Sequence, residues 1–279
     1  LRAVPRWLPA ARLAYNFRSF ARLALPVPRL LDSDLSPVTR LRWGFYALSE
    51  EYVRGQPPTE TADRAGAVRA VARALARFHT VERPRWGWPA FPRLGSYRRY
   101  VLRRVSGRVG HLAGALPSDQ CEALLAWFAQ HADLAALEPP FSLTHSRVNS
   151  GNFILRPDGE VAVVDLIECR YGTWCPDLVS ALHRLCECDE RWTAAFLEEY
   201  FAARPAWCRA AFEESRTFFE ANRALGQAAS NTRRAARAAD PEAAAALRAR
   251  LAEDIRRLAD LTGVALAETA PGPQQPCNG

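Results

Sequence analysis

The stretch His145-Ser146-Arg147-Val148-Asn149-Ser150-Gly151-Asn152, followed by Val161-Ala162-Val163-Val164-Asp165, gathers the side chains best suited to chemistry in this chain. Asn152 offers an amide oxygen, and Asp165 offers a carboxylate at the end of an apolar run. Both are hard oxygen donors of the kind that hold Mg²⁺, and a metal held this way neutralises phosphates during phosphoryl transfer. Arg147 stands between His145 and Asn152, and a guanidinium accepts no proton at physiological pH. It either pairs with Asp165 and competes with a metal there, or grips a phosphate bidentately. His145 reads as a loop-packing residue.

Such ligands need rigid supports. Residues 153–156 and 160–164 read as two short strands, and Pro157-Asp158-Gly159 between them is a hairpin signal. Apolar residues Leu13, Phe17, Phe20 and Leu23 predict a helix over 9–25, ended by Pro26 and Pro28. Residues 28–31 and 45–53 read as strands. Val68, Val71, Leu75 and Phe78 predict an amphipathic helix over 61–79. Residues 84–95 read as a loop and 96–105 as a basic helix. A helix over 118–131 takes Ser118 as its N-cap, and another follows over 177–186. Residues 191–261 are helical with breaks at Arg204-Pro205 and Asp240-Pro241. The order of elements indicates an α+β fold.

The chain has 279 residues, 49% of them hydrophobic and 24% charged, as in an ordinary globular protein. No apolar run reaches the ~18 residues of a membrane span, so a cytoplasmic protein is expected. All 37 basic residues are arginine, which removes lysine from phosphate and base chemistry. The net charge is +7. Residues 1–31 hold Arg2, Arg6, Arg12, Arg18, Arg22 and Arg29 without an acid. Residues 83–118 hold Arg83, Arg85, Arg93, Arg98, Arg99, Arg103, Arg104 and Arg108, again without one. Runs of this kind form a solvated face or attract anions. The seven cysteines contain no C-x-x-C pair, which argues against a disulfide framework. His183, Cys186 and Cys188 are close in sequence, but on a continuing helix they point apart.

The loop and its surroundings resemble the aminoglycoside phosphotransferase and choline kinase-like group of the protein kinase-like superfamily. The resemblance rests on His145 to Asn152, on Asp165-Leu166-Ile167-Glu168, and on Gly172-Thr173-Trp174-Cys175-Pro176-Asp177-Leu178. Upstream it rests on Leu25-Pro26-Val27-Pro28-Arg29-Leu30-Leu31, on Ser49-Glu50-Glu51-Tyr52-Val53-Arg54-Gly55, and on Ala74-Leu75-Ala76-Arg77-Phe78-His79. It implies a two-lobed kinase-like fold, here with a partial, truncated N-lobe and hinge over 1–55 and a mostly helical C-lobe with the catalytic-loop hairpin over 56–265, while the Pro- and Gln-rich composition of 266–279 predicts a disordered tail. It implies Mg-ATP as cofactor, with Glu51, Tyr52 and Val53 as the nucleotide-binding hinge and Asn152 and Asp165 as metal ligands. His145 and Arg147 fall in the catalytic loop, and Asp177 and His79 are structural.

The departures are as informative. Arg147 occupies the position of the family's catalytic aspartate. The helix before Pro26 carries no glutamate for an ion pair with an ATP-binding lysine, and no strand bearing such a lysine is evident. Three readings follow: a degenerate, pseudokinase-like ligand binder, an active phosphotransferase acting on an acidic small-molecule acceptor, and a helical protein that binds an anionic surface such as a membrane. Nucleic acid is not expected as a partner. Phe218, Phe219 and Glu220 are either acceptor-pocket wall or plain helix packing.

Overall fold

The computed structural model describes residues 2–135 and 137–267, so the expected tail lies outside it from residue 268 onward. In chain order the elements begin with β1 Arg2–Val4, α1 Trp7–Arg22, β2 Leu30–Asp34, α2 Pro37–Trp43, β3 Tyr46–Glu50 and α3 Arg64–His79. The two-residue strands β4 Glu82–Arg83, β5 Gly87–Trp88 and β6 Phe91–Pro92 follow. Then come α4 Tyr97–Gly110, α5 Ser118–His131, β7 Phe141–Thr144, β8 Phe153–Leu155, β9 Val161–Val163 and β10 Arg170–Gly172. The helices α6 Cys175–Arg184, α7 Glu190–Ala202, α8 Trp207–Ala235 and α9 Pro241–Thr262 complete the chain. No helix of the described residues is long and apolar enough to cross a membrane.

The chain divides into two compact units, Leu1–Leu94 with Pro139–Ala210, and Gly95–Glu138 with Ala211–Gly279. The first holds three antiparallel sheets, ordered β1-β3-β2, β4-β7-β10-β5-β6 and β8-β9. Its central helix is α3, whose Val68, Val71, Leu75 and Phe78 are buried as their spacing predicts. Asp63 caps this helix by accepting from Gly66 N at 2.9 Å. α3 packs against α7 and β7. The second unit is helical. Phe128 of α5 and Phe218 of α8 meet edge to face at 5.5 Å between ring centroids. Phe218 and Phe219 are 2% and 3% exposed, so both serve helix packing, while Glu220 pairs with Arg216 and Arg257.

Several local expectations change. Ser118 is the first helical residue and Pro117 holds the cap position without a side-chain bond. Part of the segment 84–95 pairs as β5–β6. α6 ends at Arg184, and positive φ at Glu187 (57°) and Cys188 (59°) turns the chain back. His183 and Cys188 therefore meet, Sγ to Nδ1 at 3.0 Å, while Cys186 bonds to Trp192 O. Among the described residues no three metal-ligating side chains converge.

An isolated bridge ties the segment after β3 to the hairpin β8–β9. Gln56 N donates to Leu155 O at 3.1 Å, and Leu155 N donates to Gln56 O at 2.9 Å. At the adjacent Gly55 φ is +149°, and a Cβ would lie 2.1 Å from Leu155 O. Gly55→Ala is therefore expected to cost about 2–3 kcal/mol, through overpacking against backbone that cannot rotate away. Urea unfolding measures this, and a loss under about 0.5 kcal/mol, the ordinary surface value, would refute it.

Candidate active site

The loop after β7 is held from beneath by one buried carboxylate. Asp177, in the first turn of α6, accepts from His145 N at 2.6 Å and Ser146 N at 2.9 Å. It also accepts from His79 Nε2 at 3.3 Å, and Tyr200 lies 2.7 Å from His79 Nδ1. Asp177 and His79 are 2% and 0% exposed. Burial pushes the Asp177 carboxyl up, but the bond and charge of His79, the charge of His145 and the backbone N–H outweigh it. The carboxyl therefore sits below its usual value of 3.8. Burial pushes His79 below its usual 6.5, more strongly than Asp177 raises it. A neutral His79 satisfies both contacts: Nε2–H donates to the carboxylate and Nδ1 accepts from the Tyr200 hydroxyl.

His145 is also wholly buried and fully used. Its Nε2 lies 2.9 Å from Val164 O and its Nδ1 accepts from Arg147 N at 3.3 Å. With Nε2 facing a carbonyl and Nδ1 facing an N–H, the ring has no lone pair left for an incoming hydroxyl. Ser146 has φ +67°. Its amide is fixed by Asp177, and its hydroxyl accepts from Arg170 Nε at 3.0 Å.

Asn152 Nδ2 donates to Arg147 O at 2.7 Å, which orients the amide oxygen away from the loop backbone. Val164 N donates to Asn152 O at 2.9 Å, tying Asn152 to the strand that ends at Asp165. Asp165 itself adopts φ +59°, ψ +52°, a conformation Asp tolerates better than most residues. Two such residues, Ser146 and Asp165, flank one site, as backbone strain often does where function is built in.

Asp165 has two cationic neighbours. Arg147 Nη1 lies 3.7 Å from Oδ2, and Arg2 Nη1 lies 3.5 Å from Oδ1. Arg2 also pairs with Glu50 at 2.9 Å from the adjacent strand β3. No spacing in the sequence pointed to Arg2, because β1 is three residues long and pairs only through tertiary contact. The available signal was its place just before α1 in an acid-free run. α1 supplies two further residues. Arg12 Nη2 lies 3.7 Å from Glu168, and the buried Asn16 Nδ2 donates to Leu166 O at 2.8 Å. Arg170 pairs with Glu168 at 3.5 Å. Burial lowers the Arg12 pKa despite the Glu168 charge, and its guanidinium stacks 3.8 Å from the Trp88 ring centroid.

The expected hinge runs on from β3. Glu51 N donates to Arg29 O at 2.9 Å, and the Glu51 carboxylate accepts from Arg29 N at 3.1 Å. Tyr52 is 84% exposed. Among the described residues no hydrogen bond engages the backbone of Tyr52 or Val53.

Residues 5–214 match the pattern of the phosphotransferase enzyme family, APH. The chain belongs to this family. Its fold is the kinase-like α+β fold of solved aminoglycoside phosphotransferases. One is the enzyme from Alicyclobacillus acidocaldarius, at 16% identity and TM-score 0.57, covering 94% of this chain and 84% of that one. Another is the ADP-bound aminoglycoside phosphotransferase APH(2'')-Ib, at 14% identity and TM-score 0.63, covering 93% and 86%. The Plasmodium vivax ethanolamine kinase is similar at 9% identity and TM-score 0.61, covering 88% and 71%. No curated protein matches the chain in sequence.

Membership of the phosphotransferase family implies a magnesium ion at Asn152 and Asp165. The donor set as placed does not fit one. The amide and the carboxylate have the right donor chemistry, but the carboxylate already lies within 3.5–3.7 Å of two guanidinium groups. A divalent cation would have to displace both charges or bear their repulsion.

Proposed function

We propose that this family member binds a nucleotide and has lost efficient phosphoryl transfer, because Arg147 takes the place of the catalytic aspartate. The observation that carries the reading is the Arg147 guanidinium at 3.7 Å from Asp165. It removes a base and blocks a metal ligand with the same side chain. Neither neighbour replaces the base: His145 has both ring nitrogens engaged, and Glu168 is held by Arg12 and Arg170.

Nucleotide binding is supported by a different set of groups. The unbonded backbone of Tyr52 and Val53 offers the donor and acceptor that an adenine edge requires. Arg2, on the strand before α1 and 3.5 Å from Asp165, is read as a cation that contacts the phosphates. In this role Arg2 and Arg147 face the phosphates and supply the positive charge otherwise brought by metal. ADP is bound by one structural relative, APH(2'')-Ib. The acceptor or second ligand is a small molecule with acidic groups, in keeping with the net charge of +7. The free cysteines suit a cytoplasmic setting.

A second reading keeps turnover. Positioning and electrostatics supply most of the catalysis in phosphoryl transfer, and the basic run over residues 83–118 suits an acidic sugar or lipopolysaccharide-type acceptor. The two readings separate by metal dependence. Calorimetry with ATP is expected to give a similar affinity in EDTA and in magnesium, weakened about tenfold or more by Arg2→Ala with Arg147→Ala, as loss of charge-assisted bonds implies. Binding that requires magnesium would favour the second reading, and no binding in either buffer would sink the first.

A further inference from the structure

Two arginines of the acid-free run, Arg104 and Arg108, line a cleft within the second unit. It lies between α4 and α8, has a volume of about 290 Å³, and is lined by Arg104, Arg108, His111, Gly226 and Arg233 among others. The side chain at its base is Arg108. Its Nη1 donates to Asn222 O at 2.9 Å and to Asn222 Oδ1, both neutral acceptors. No carboxylate pairs with Arg104, Arg108 or Arg233 among the described residues. Burial and the charges of Arg104 and Arg233 push the Arg108 pKa down to about 10, so it remains cationic at neutral pH.

A part-buried cation without a counter-charge is costly, and such groups are ordinarily paired. Here the chain is shaped to keep the guanidinium in place. Gly226 on α8 lacks a side chain where a Cβ would sit 3.3 Å from Arg108 Cζ and 3.5 Å from both terminal nitrogens. Gly107 on α4 also lines the cleft, and nothing lies within 4 Å of where its Cβ would sit. Arg104 is held by donating Nη1 to Tyr100 Oη at 3.0 Å. Glycines inside helices cost about 1 kcal/mol each relative to alanine, so the open floor is bought at the expense of helix stability.

The geometry points to a phosphate-binding site in this cleft, with Arg108 as the fixed donor and Arg104 and Arg233 closing on the outer oxygens. The ligand class is a phosphomonoester or phosphodiester, carried by a soluble metabolite or by a lipid headgroup. The site stands on the second unit alone and does not depend on whether the Arg147 loop transfers phosphoryl groups.

The test uses the full chain at constant ionic strength, with inorganic phosphate as the soluble probe and phosphatidylglycerol vesicles, against phosphatidylcholine, as the lipid probe. Arg104→Ala with Arg233→Ala removes exposed side chains, so folding is preserved. Gly226→Ala presses on Arg108 without changing charge. Both variants are expected to weaken binding, the double variant by about tenfold or more as loss of two charge-assisted contacts implies. Phosphate binding that the double variant loses assigns a soluble ligand. Vesicle binding lost in the same way, without phosphate binding, assigns a headgroup. Unchanged affinity in the double variant, or no binding of either probe by the unmodified protein, overturns the site. ATP turnover is not read in this assay, so its failure is separate from failure of the nucleotide reading.

Discussion

Arg147→Asp is expected to raise magnesium-dependent ATP hydrolysis by about 10²–10⁴-fold over the unmodified chain, the usual contribution of a positioned base. That range corresponds to about 3–5 kcal/mol of barrier. The substitution changes the local charge by two units and acts twice. It restores a proton acceptor at the loop position whose backbone carbonyl is already bonded to Asn152. It also releases Asp165 from the guanidinium at 3.7 Å. Arg147→Ala separates the two effects, because it releases Asp165 without supplying a base. It should therefore make nucleotide binding respond to magnesium while leaving hydrolysis near the unmodified level. Arg2 stays in both variants, still 3.5 Å from Asp165, and sets a ceiling on the recovery. Turnover by the unmodified chain equal to that of Arg147→Asp would end the proposal that Arg147 disables the site. Both ion pairs are loose and partly exposed, so neither is a large stability term. Their effect is on chemistry, which makes unchanged thermal stability the natural control.

Asp177→Ala should have the largest effect on stability, a loss of about 3–5 kcal/mol, the usual cost of removing one partner of a buried charged cluster. It leaves His145 N–H, Ser146 N–H and His79 Nε2–H without that acceptor in a largely buried site. Urea unfolding reads the loss directly, and a change under about 1 kcal/mol would show that water replaces the carboxylate. The same cluster predicts acid sensitivity. The folded-state pKa of Asp177 is depressed below 3.8, so its contribution is complete above that value and is lost as pH falls through the folded pKa. His79 is depressed below 6.5, so the unfolded chain takes up its proton first as pH falls past 6.5. Both signs agree: stability should begin to decline below pH 6.5 and fall more steeply below 3.8. Thermal melts from pH 8 to 3 test this, with Asp177→Ala expected to flatten the acid limb. A melting temperature that rises between pH 6.5 and 5 would contradict the assignment of a neutral His79.

Much of the frame was legible because it is local. The helix around Val68, Val71, Leu75 and Phe78 follows from 3.6-residue periodicity alone, and the hairpin β8–β9 follows from Pro157-Asp158-Gly159 between two apolar triplets. α2 was missed although its signals are present: Ser36 capping Thr39 N, Pro37 in the first turn and Gly44 at φ +76°. It was missed because it buries no residue and so shows no apolar stripe. β1 and β10 were missed because three-residue strands carry no period of their own. β7 has all four positions buried, so it does not alternate either.

The same division runs through the candidate site. The sequence by itself determined the residue types: an arginine where an aspartate is expected, an amide and a carboxylate at fixed spacing, a histidine before the loop, and basic runs without acids. Spacing along the chain carries that information because the loop and hairpin are contiguous. Tertiary structure alone decided what those residues face. Arg2 reaches Asp165 from 163 positions upstream only because β1 pairs with β3. Asp177 collects His79, His145 and Ser146 only because α3 and α6 meet beneath the loop. Arg108 lacks a counter-charge only because α8 presents Gly226 and Asn222 to it. Charge pairing depends on distance through space, and one chain's spacing encodes that distance only within a helix turn, a hairpin or a short loop.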